Sequence, residues 1–255
     1  MKGHNSRIDT LRVQIAACTR IMNMEGLIDY SGHISARLPD NSGLIIQSFD
    51  DSRAGLTPDD LLICDMDGRL LHGPTDKSPP REVFIHTEIM KARPDVDAVG
   101  HFHPETATMF TLVEGRPLIP VKNHAARWAA GIPVHPDPGH INTPETGKAL
   151  ATTLGGCHAA LIRAHGVVVT AESVAALLVD SIHFEENAKM LFHAAALGDV
   201  TGLTSDEMDA FTSRFNRDAH VRKLWKYYIG RGIAAGTVPA DWLPSVGYGS
   251  SLADE

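Results

Sequence analysis

Apolar residues recur at helical spacing from Ile8 to Met24, with Ile8, Leu11, Ile15, Cys18 and Met22 on one stripe. Ser6 is placed to cap that helix and Gly26 to end it. Over Ile34, Ala36 and Leu38 the period drops to two, which predicts a strand. Leu44 to Gln47 is a short apolar run that pairs with it across Asp40-Asn41-Ser42-Gly43. Gln47 to Leu56 reads as loop. Thr57 then caps a helical turn, Leu61 to Cys64 forms a strand, and Met66-Asp67-Gly68 turns the chain into a returning strand. Lys77 to Arg93 predicts a helix with proline in its first turn, stopped by Arg93-Pro94. Directly after it, Ala98 to Pro104 (AVGHFHP) reads as a buried strand ending in His101 and His103.

Glu105 to Leu112 predicts a short helix, Arg116 to Val121 an extended piece, and Asn123 to Ala130 a helix ended by Gly131. Thr143 caps a helix running to Leu154. Ala159 to Arg163 and Val167 to Thr170 are strands interrupted by His165-Gly166. Ser173 to Leu197 is a long alanine-rich helix, and Thr204 with Glu207 forms a capping box for a last helix through about Tyr228. Helices before, between and after the strands predict one layered α/β domain over residues 1–234. Residues 235–255, rich in Gly, Pro and Ser, are expected to be a loosely held tail.

Composition narrows the class. Of 255 residues 43% are hydrophobic and 21% charged, enough apolar content for a sizeable core. The net charge of -8 argues against a nucleic-acid surface, and the basic stretch Arg217 to Arg231 reads as a solvated helix face. No apolar run is long enough to span a membrane, and MKGHNSR is no signal peptide. The three cysteines, Cys18, Cys64 and Cys157, have no Cys-x-x-Cys spacing, which points to reduced thiols in a cytoplasmic protein. Histidine, by contrast, is abundant at 14 residues.

Residues two apart on a strand share a face, so His101 and His103 can reach one point, as a metal ligand pair or as a polar rim. His165, at a strand end before Gly166, is either the third ligand or a turn histidine without a role; the glycine would let the backbone turn tightly there. Glu82 with His86 is either a surface i,i+4 pair or a carboxylate beside the metal, serving as ligand, acid or base. A cupin also combines His-x-His with Glu and a distant His, but its many short strands do not accommodate these long helices. Trp128 packs at a subunit interface or against an aromatic substrate. His140, after Gly139 in the loop HPDPGH, either lines the pocket or is a solvent-exposed loop histidine, and His72, His135, His158, His183 and His193 are left without a role.

These stretches together (KSPPREVFIHTEIMKARPDVDAVGHFHPETAT with YSGHISARLP before it and LIRAHGVVV after) resemble the class II aldolase/adducin superfamily over about Ile8 to Leu197. The resemblance implies a three-layer α/β/α sandwich with a mainly antiparallel central sheet. It also implies a homotetramer with active sites at subunit interfaces. It makes His101, His103 and His165 the ligands of one divalent metal per subunit, zinc or manganese, with cobalt or iron as further options. Glu82 would be the catalytic acid/base. His124 falls about where the aldolases have a tyrosine proton donor contributed by a neighbouring subunit.

Sugar-phosphate aldolases of that superfamily hold phosphate with a Ser-Ser pair before the glutamate and an asparagine in the amino-terminal motif. Here Pro79-Pro80 and His33 stand in those places, and proline offers neither N–H nor hydroxyl. Arg37, Arg81 and Arg127 are instead suited to gripping a carboxylate, each against the plainer reading of a surface arginine. The combination resembles the decarboxylase branch, which acts on dihydroxyphthalates or hydroxypyridine dicarboxylates. The expected function is metal-dependent loss of carbon dioxide from a small hydroxy-aromatic acid. Alternatives are aldol cleavage of an unphosphorylated hydroxy-keto acid or sugar, and a non-enzymatic adducin-like binding module.

Overall fold

The computed structural model describes residues 2–247. Among them, eight strands form one sheet: β1 (His33–Arg37), β2 (Gly43–Ile46), β3 (Leu62–Asp65), β4 (Leu70–His72), β5 (Ala98–Phe102), β6 (Val134–His135), β7 (Ala159–Ile162) and β8 (Gly166–Ala171). Their order is β4-β3-β2-β1-β5-β8-β7-β6, antiparallel except for the parallel β6–β7 pair. The helices are α1 (Lys2–Met24), α2 (Val83–Ala92), α3 (Glu105–Met109), α4 (Pro144–Leu154), α5 (Val174–Ala195), α6 (Ser205–Thr212), α7 (Arg217–Ala234) and α8 (Leu243–Val246). No helix among the described residues is long and apolar enough to cross a membrane.

Strand alternation sorts the interior into two cores. Ile34, Phe102 and Val167 join Ile15 of α1, Leu177 of α5 and Trp225 of α7 on one face. Leu44, Val99 and Val168 join Ile85 of α2 and Leu150 of α4 on the other. A sheet covered by helices on both faces is the three-layer α/β/α sandwich, with its central strands β1, β2, β5, β7 and β8 buried on both sides. Register places the chemistry at the centre: His33 of β1 lies opposite His101 of β5, which on its other side lies opposite Val168 of β8. His101 has the parity of Val99, so it faces the α2–α4 layer.

Several element boundaries depart from the pattern reading. Ser6 lies inside α1 rather than capping it, whereas Gly26, at φ +72°, ends that helix as expected. Helix α2 starts at Val83, not Lys77, because residues that precede prolines are driven out of the helical region, which removes Ser78 and Pro79. Glu82 therefore occupies the N-cap rather than the body of the helix. Asn123–Trp128 is a short 3-10 helix. The single last helix is two, broken where the Asn216 side chain accepts from the Ala219 N–H and starts α7 afresh. Trp128 is buried edge-on against Phe184, neither at a surface nor open to a substrate.

The segment from Ala235, expected to be loose, is tied down as far as it is described. Val238 and Val246 are buried, and the Trp225 indole donates to the Val246 carbonyl at 2.7 Å. The apolar residues spaced through this Gly- and Pro-rich stretch supply contacts that composition alone conceals. Residues 248–255 of the expected tail lie outside the described residues.

Helices α2 and α4 touch through Gly147, whose added Cβ would fall 2.5 Å from the Phe84 carbonyl oxygen. Gly147→Ala must push the two helices apart or strain them, costing about 1–3 kcal/mol. Urea unfolding should read that loss as a lower midpoint with an unchanged slope.

Candidate metal centre

Strand β5 ends the helical layer's cover at His101, and His103 follows one pleat later on the same face. The third imidazole comes from the tight β7–β8 turn, where Ala164 takes φ +54° and His165 follows. Gly166 is required there for proximity, not for turning. A Cβ on it would meet the Phe102 carbonyl at 2.5 Å and the His103 ring at 2.7 Å. The ring nitrogens of His101, His103 and His165 all lie within 4.8 Å of one another.

Hydrogen bonds decide which nitrogens are offered. His101 Nδ1 lies 3.0 Å from the Val167 carbonyl, so it carries the proton and Nε2 is left with its lone pair. His103 Nδ1 lies 2.9 Å from the Ser31 hydroxyl, and in the tautomer that donates to that oxygen its Nε2 is free as well. The two Nε2 atoms then face each other at 3.2 Å. With His103 protonated at Nδ1 the two lone pairs repel unless a cation sits between them, whereas protonation at Nε2 makes the contact a hydrogen bond. Two nitrogens bound tetrahedrally at 2.0–2.1 Å would be about 3.3 Å apart. The donor set therefore fits a divalent ion of the zinc type, and the all-imidazole ligation leaves the choice between zinc, manganese, cobalt and iron open.

Glu82 stands at the centre of this group. Its Oε2 lies 3.5 Å from His101 Nε2 and 3.8 Å from His33 Nε2, and its Oε1 3.8 Å from His165 Nε2. The Ile141 N–H donates to Oε1 at 3.0 Å. Burial opposes its charge, yet the contacts from His101, His33 and Ile141 outweigh burial and hold the carboxyl well below the usual carboxylate range. Burial acts the other way on the imidazoles. It pushes His103 down to about 3, helped by His101 and His165, and lowers His165 as well. Neutral imidazole is the ligating form.

Other candidates fall elsewhere. His33 is buried behind Glu82, its Nδ1 2.6 Å from His86 Nε2, and His86 Nδ1 is 2.6 Å from the Ser35 hydroxyl. His33 thus supports the carboxylate rather than lining an open pocket. His86, one reading of which was a surface partner of Glu82, is fully buried in that chain of hydrogen bonds. The Arg37 guanidinium is spent on the backbone carbonyls of Met90, Arg93 and Val96, which excludes it as a carboxylate anchor. Arg127 is likewise bound to Asp180 and Glu172. Arg81 alone is available: it is exposed, lies over the Phe49 ring at 5.1 Å, and has no acidic partner among the described residues. His124 is not brought to Glu82 within one chain; its ring stacks on His183 and His220.

For one member of the site the sequence allows either pocket lining or solvent exposure, and the structure combines the two. His140, in the loop His-Pro-Asp-Pro-Gly-His, places Nδ1 3.5 Å from Glu82 Oε1 and sets its ring edge-on to His165. It is exposed, so it stands between Glu82 and solvent.

Residues 13–192 match the family described as Class II Aldolase and Adducin N-terminal domain. The chain belongs to that family. A 3,4-dihydroxyphthalate decarboxylase of Rhodococcus jostii is 28% identical over 239 residues, covering 88% of this chain and 96% of its own. A 5-methylthioribulose-1-phosphate/5-deoxyribulose-1-phosphate aldolase of Rhodospirillum rubrum is also 28% identical, over 72% of this chain and 81% of its own. In fold, the chain superposes on an L-fuculose 1-phosphate aldolase from Glaciozyma antarctica with a TM-score of 0.78 at 20% identity, covering 91% of this chain and 92% of that one.

Two expectations follow from the class II aldolase arrangement of this chain. Arg37→Lys cannot reproduce the three carbonyl bonds and should cost about 2–3 kcal/mol of stability in urea unfolding, with metal content unchanged. Acidification should also destabilise the metal-free chain. His33 is held at about 4 by burial in the folded state, against about 6.5 when unfolded. Between those values the unfolded chain binds more protons. Stability is therefore full above about 6.5 and lost as pH falls toward about 4, seen as a falling urea midpoint across that window.

Proposed function

We propose that this chain is a metal-dependent carbon–carbon lyase that decarboxylates a hydroxy-aromatic dicarboxylic acid. The observation that carries the reading is an ionised, buried Glu82 set against converging imidazoles, with Arg81, its neighbour in the chain, exposed over the Phe49 ring and without an acidic partner among the described residues. Pro79-Pro80 remove the donors a phosphate would need at that edge, while Arg81 offers a planar fork for a second carboxylate. The Rhodococcus jostii relative, named for a decarboxylation of this class, supports the same choice.

His101, His103 and His165 would hold a divalent ion, which would supply an electron sink for charge that develops when the carbon–carbon bond breaks. Glu82, ionised at neutral pH, accepts the proton of the substrate hydroxyl. Carbon dioxide leaves with the carboxylate oxygens, and the bonding electron pair stays on the ring carbon. Glu82 then delivers its proton to that carbon, and the hydroxyl regains one from solvent, so each turnover consumes one proton and releases one carbon dioxide. His140, exposed and 3.5 Å from Glu82, is placed to carry the solvent proton inward. His33 and His86 hold Glu82 from behind.

Aldol cleavage needs the same sink and the same base, and the Rhodospirillum rubrum relative, named as an aldolase, supports it as the second reading. A homotetramer with sites at subunit interfaces belongs to either reading. The two part on product. With zinc or manganese added, dihydroxyphthalates or hydroxypyridine dicarboxylates should release carbon dioxide, and a chelator should stop the release. An aldehyde trapped by hydrazine from an unphosphorylated hydroxy-keto acid, without carbon dioxide, would establish the aldolase instead. Absence of metal from the purified protein together with no turnover would favour a binding module. Glu82→Gln should lower kcat by about 10²–10⁴-fold while elemental analysis still finds metal.

A further inference from the structure

A second cluster of histidines lies outside the Glu82 site. His124 comes from the 3-10 helix Asn123–Trp128, His183 from α5 and His220 from α7, and their ring nitrogens lie within 4.8 Å of one another. The rings pile together: His124 lies 4.5 Å from His183 and 4.7 Å from His220, centroid to centroid. Phe211 and Phe215 close the cluster with ring contacts on His124, so apolar walls border the imidazoles.

Two of these nitrogens are anomalous. His124 Nδ1 and His220 Nε2 are buried and have no hydrogen-bond partner among the described residues. A buried polar nitrogen left unpaired costs about 1–3 kcal/mol, so each of the two calls for a partner. Protons do not supply it. Burial, and then the neighbouring imidazoles, push His183 down to about 3, and burial with nearby Lys122 lowers His124, so the rings are neutral with lone pairs to offer. The adjacent cations are already engaged, Lys122 with Glu186 at 2.6 Å and Arg217 with Asp180 at 2.7 Å.

We propose that His124, His183 and His220 form a second site for a divalent transition metal of the zinc, copper or nickel class. Three neutral imidazoles without a carboxylate suit those borderline ions and not magnesium or calcium. His124 and His183 are nearly parallel, 7° apart, whereas an ion binds in the plane of each ring. Binding therefore turns at least one ring about its χ2 bond, a soft rotation. The ion would pin α5, α7 and the 3-10 helix together.

The test is metal stoichiometry on the full chain, zinc being titrated in competition with a chromogenic chelator and cobalt followed by its ligand-field absorption. Wild type should bind about two equivalents per chain, His183→Asn and His220→Asn each about one, and His103→Asn about one, because each change removes one ligand of one site. His103→Asn/His183→Asn should bind none. Two variants on different helices guard against a misfolded one, and both should keep the cobalt spectrum of the first site. If wild type binds one equivalent that is lost in His103→Asn and kept in His183→Asn, the second site is overturned and the first stands. If the equivalent is lost in His183→Asn and kept in His103→Asn, the second site stands and the first falls. Two equivalents retained in both His183→Asn and His220→Asn also overturn the proposal.

Discussion

A carboxylate buried away from water has to be compensated on every side, and Glu82 is where this molecule meets that demand. One oxygen takes the Ile141 N–H; both lie against imidazoles from β1, β5, the β7–β8 turn and the loop before α4. Each contact comes from a different part of the chain, so the carboxylate is held only when the whole sheet and both of its neighbouring loops are assembled. The N-cap position of Glu82 contributes as well, since it frees the side chain from the helix surface and aims it inward. The Pro79-Pro80 pair that sets that boundary thereby shapes the site without touching it.

The polar groups around the site divide by what their hydrogen bonds leave free. His101 and His103 spend Nδ1 on a carbonyl and a hydroxyl, and so present Nε2. His86 spends both nitrogens on His33 and Ser35, and His33 spends Nδ1 on His86 and turns Nε2 to Glu82. Arg37 and Arg127 are consumed in the same way by carbonyls and carboxylates, while Arg81 keeps its guanidinium open. Residue type marks a side chain as able to bind; only its partners decide whether it does.

The second histidine cluster obeys the same accounting with the opposite result. Its imidazoles are as close together as those beside Glu82, but His124 Nδ1 and His220 Nε2 have no hydrogen-bond partner among the described residues. His124 attracted a catalytic reading from its place in the chain, yet within one chain its neighbours are His183, His220 and two phenylalanines.

Much of this protein could be read before any fold was known. The period-two alternation of β1, the His-x-His at the end of β5, the capped start of α4, and the His-Gly at the β7–β8 turn are local, and local patterns obey backbone sterics wherever they occur. They are enough to place His101, His103, His165 and Glu82 as one set, once the family pattern joins stretches that lie far apart. What only the tertiary structure decided was the fate of each remaining polar side chain. The burial of His86, the commitment of Arg37 to three carbonyls, the arrival of His140 at Glu82 and the gathering of His124, His183 and His220 all join residues with no shared period. Those outcomes depend on strand order and helix packing, which bring distant residues into hydrogen-bond range, and no pattern along the chain encodes that distance.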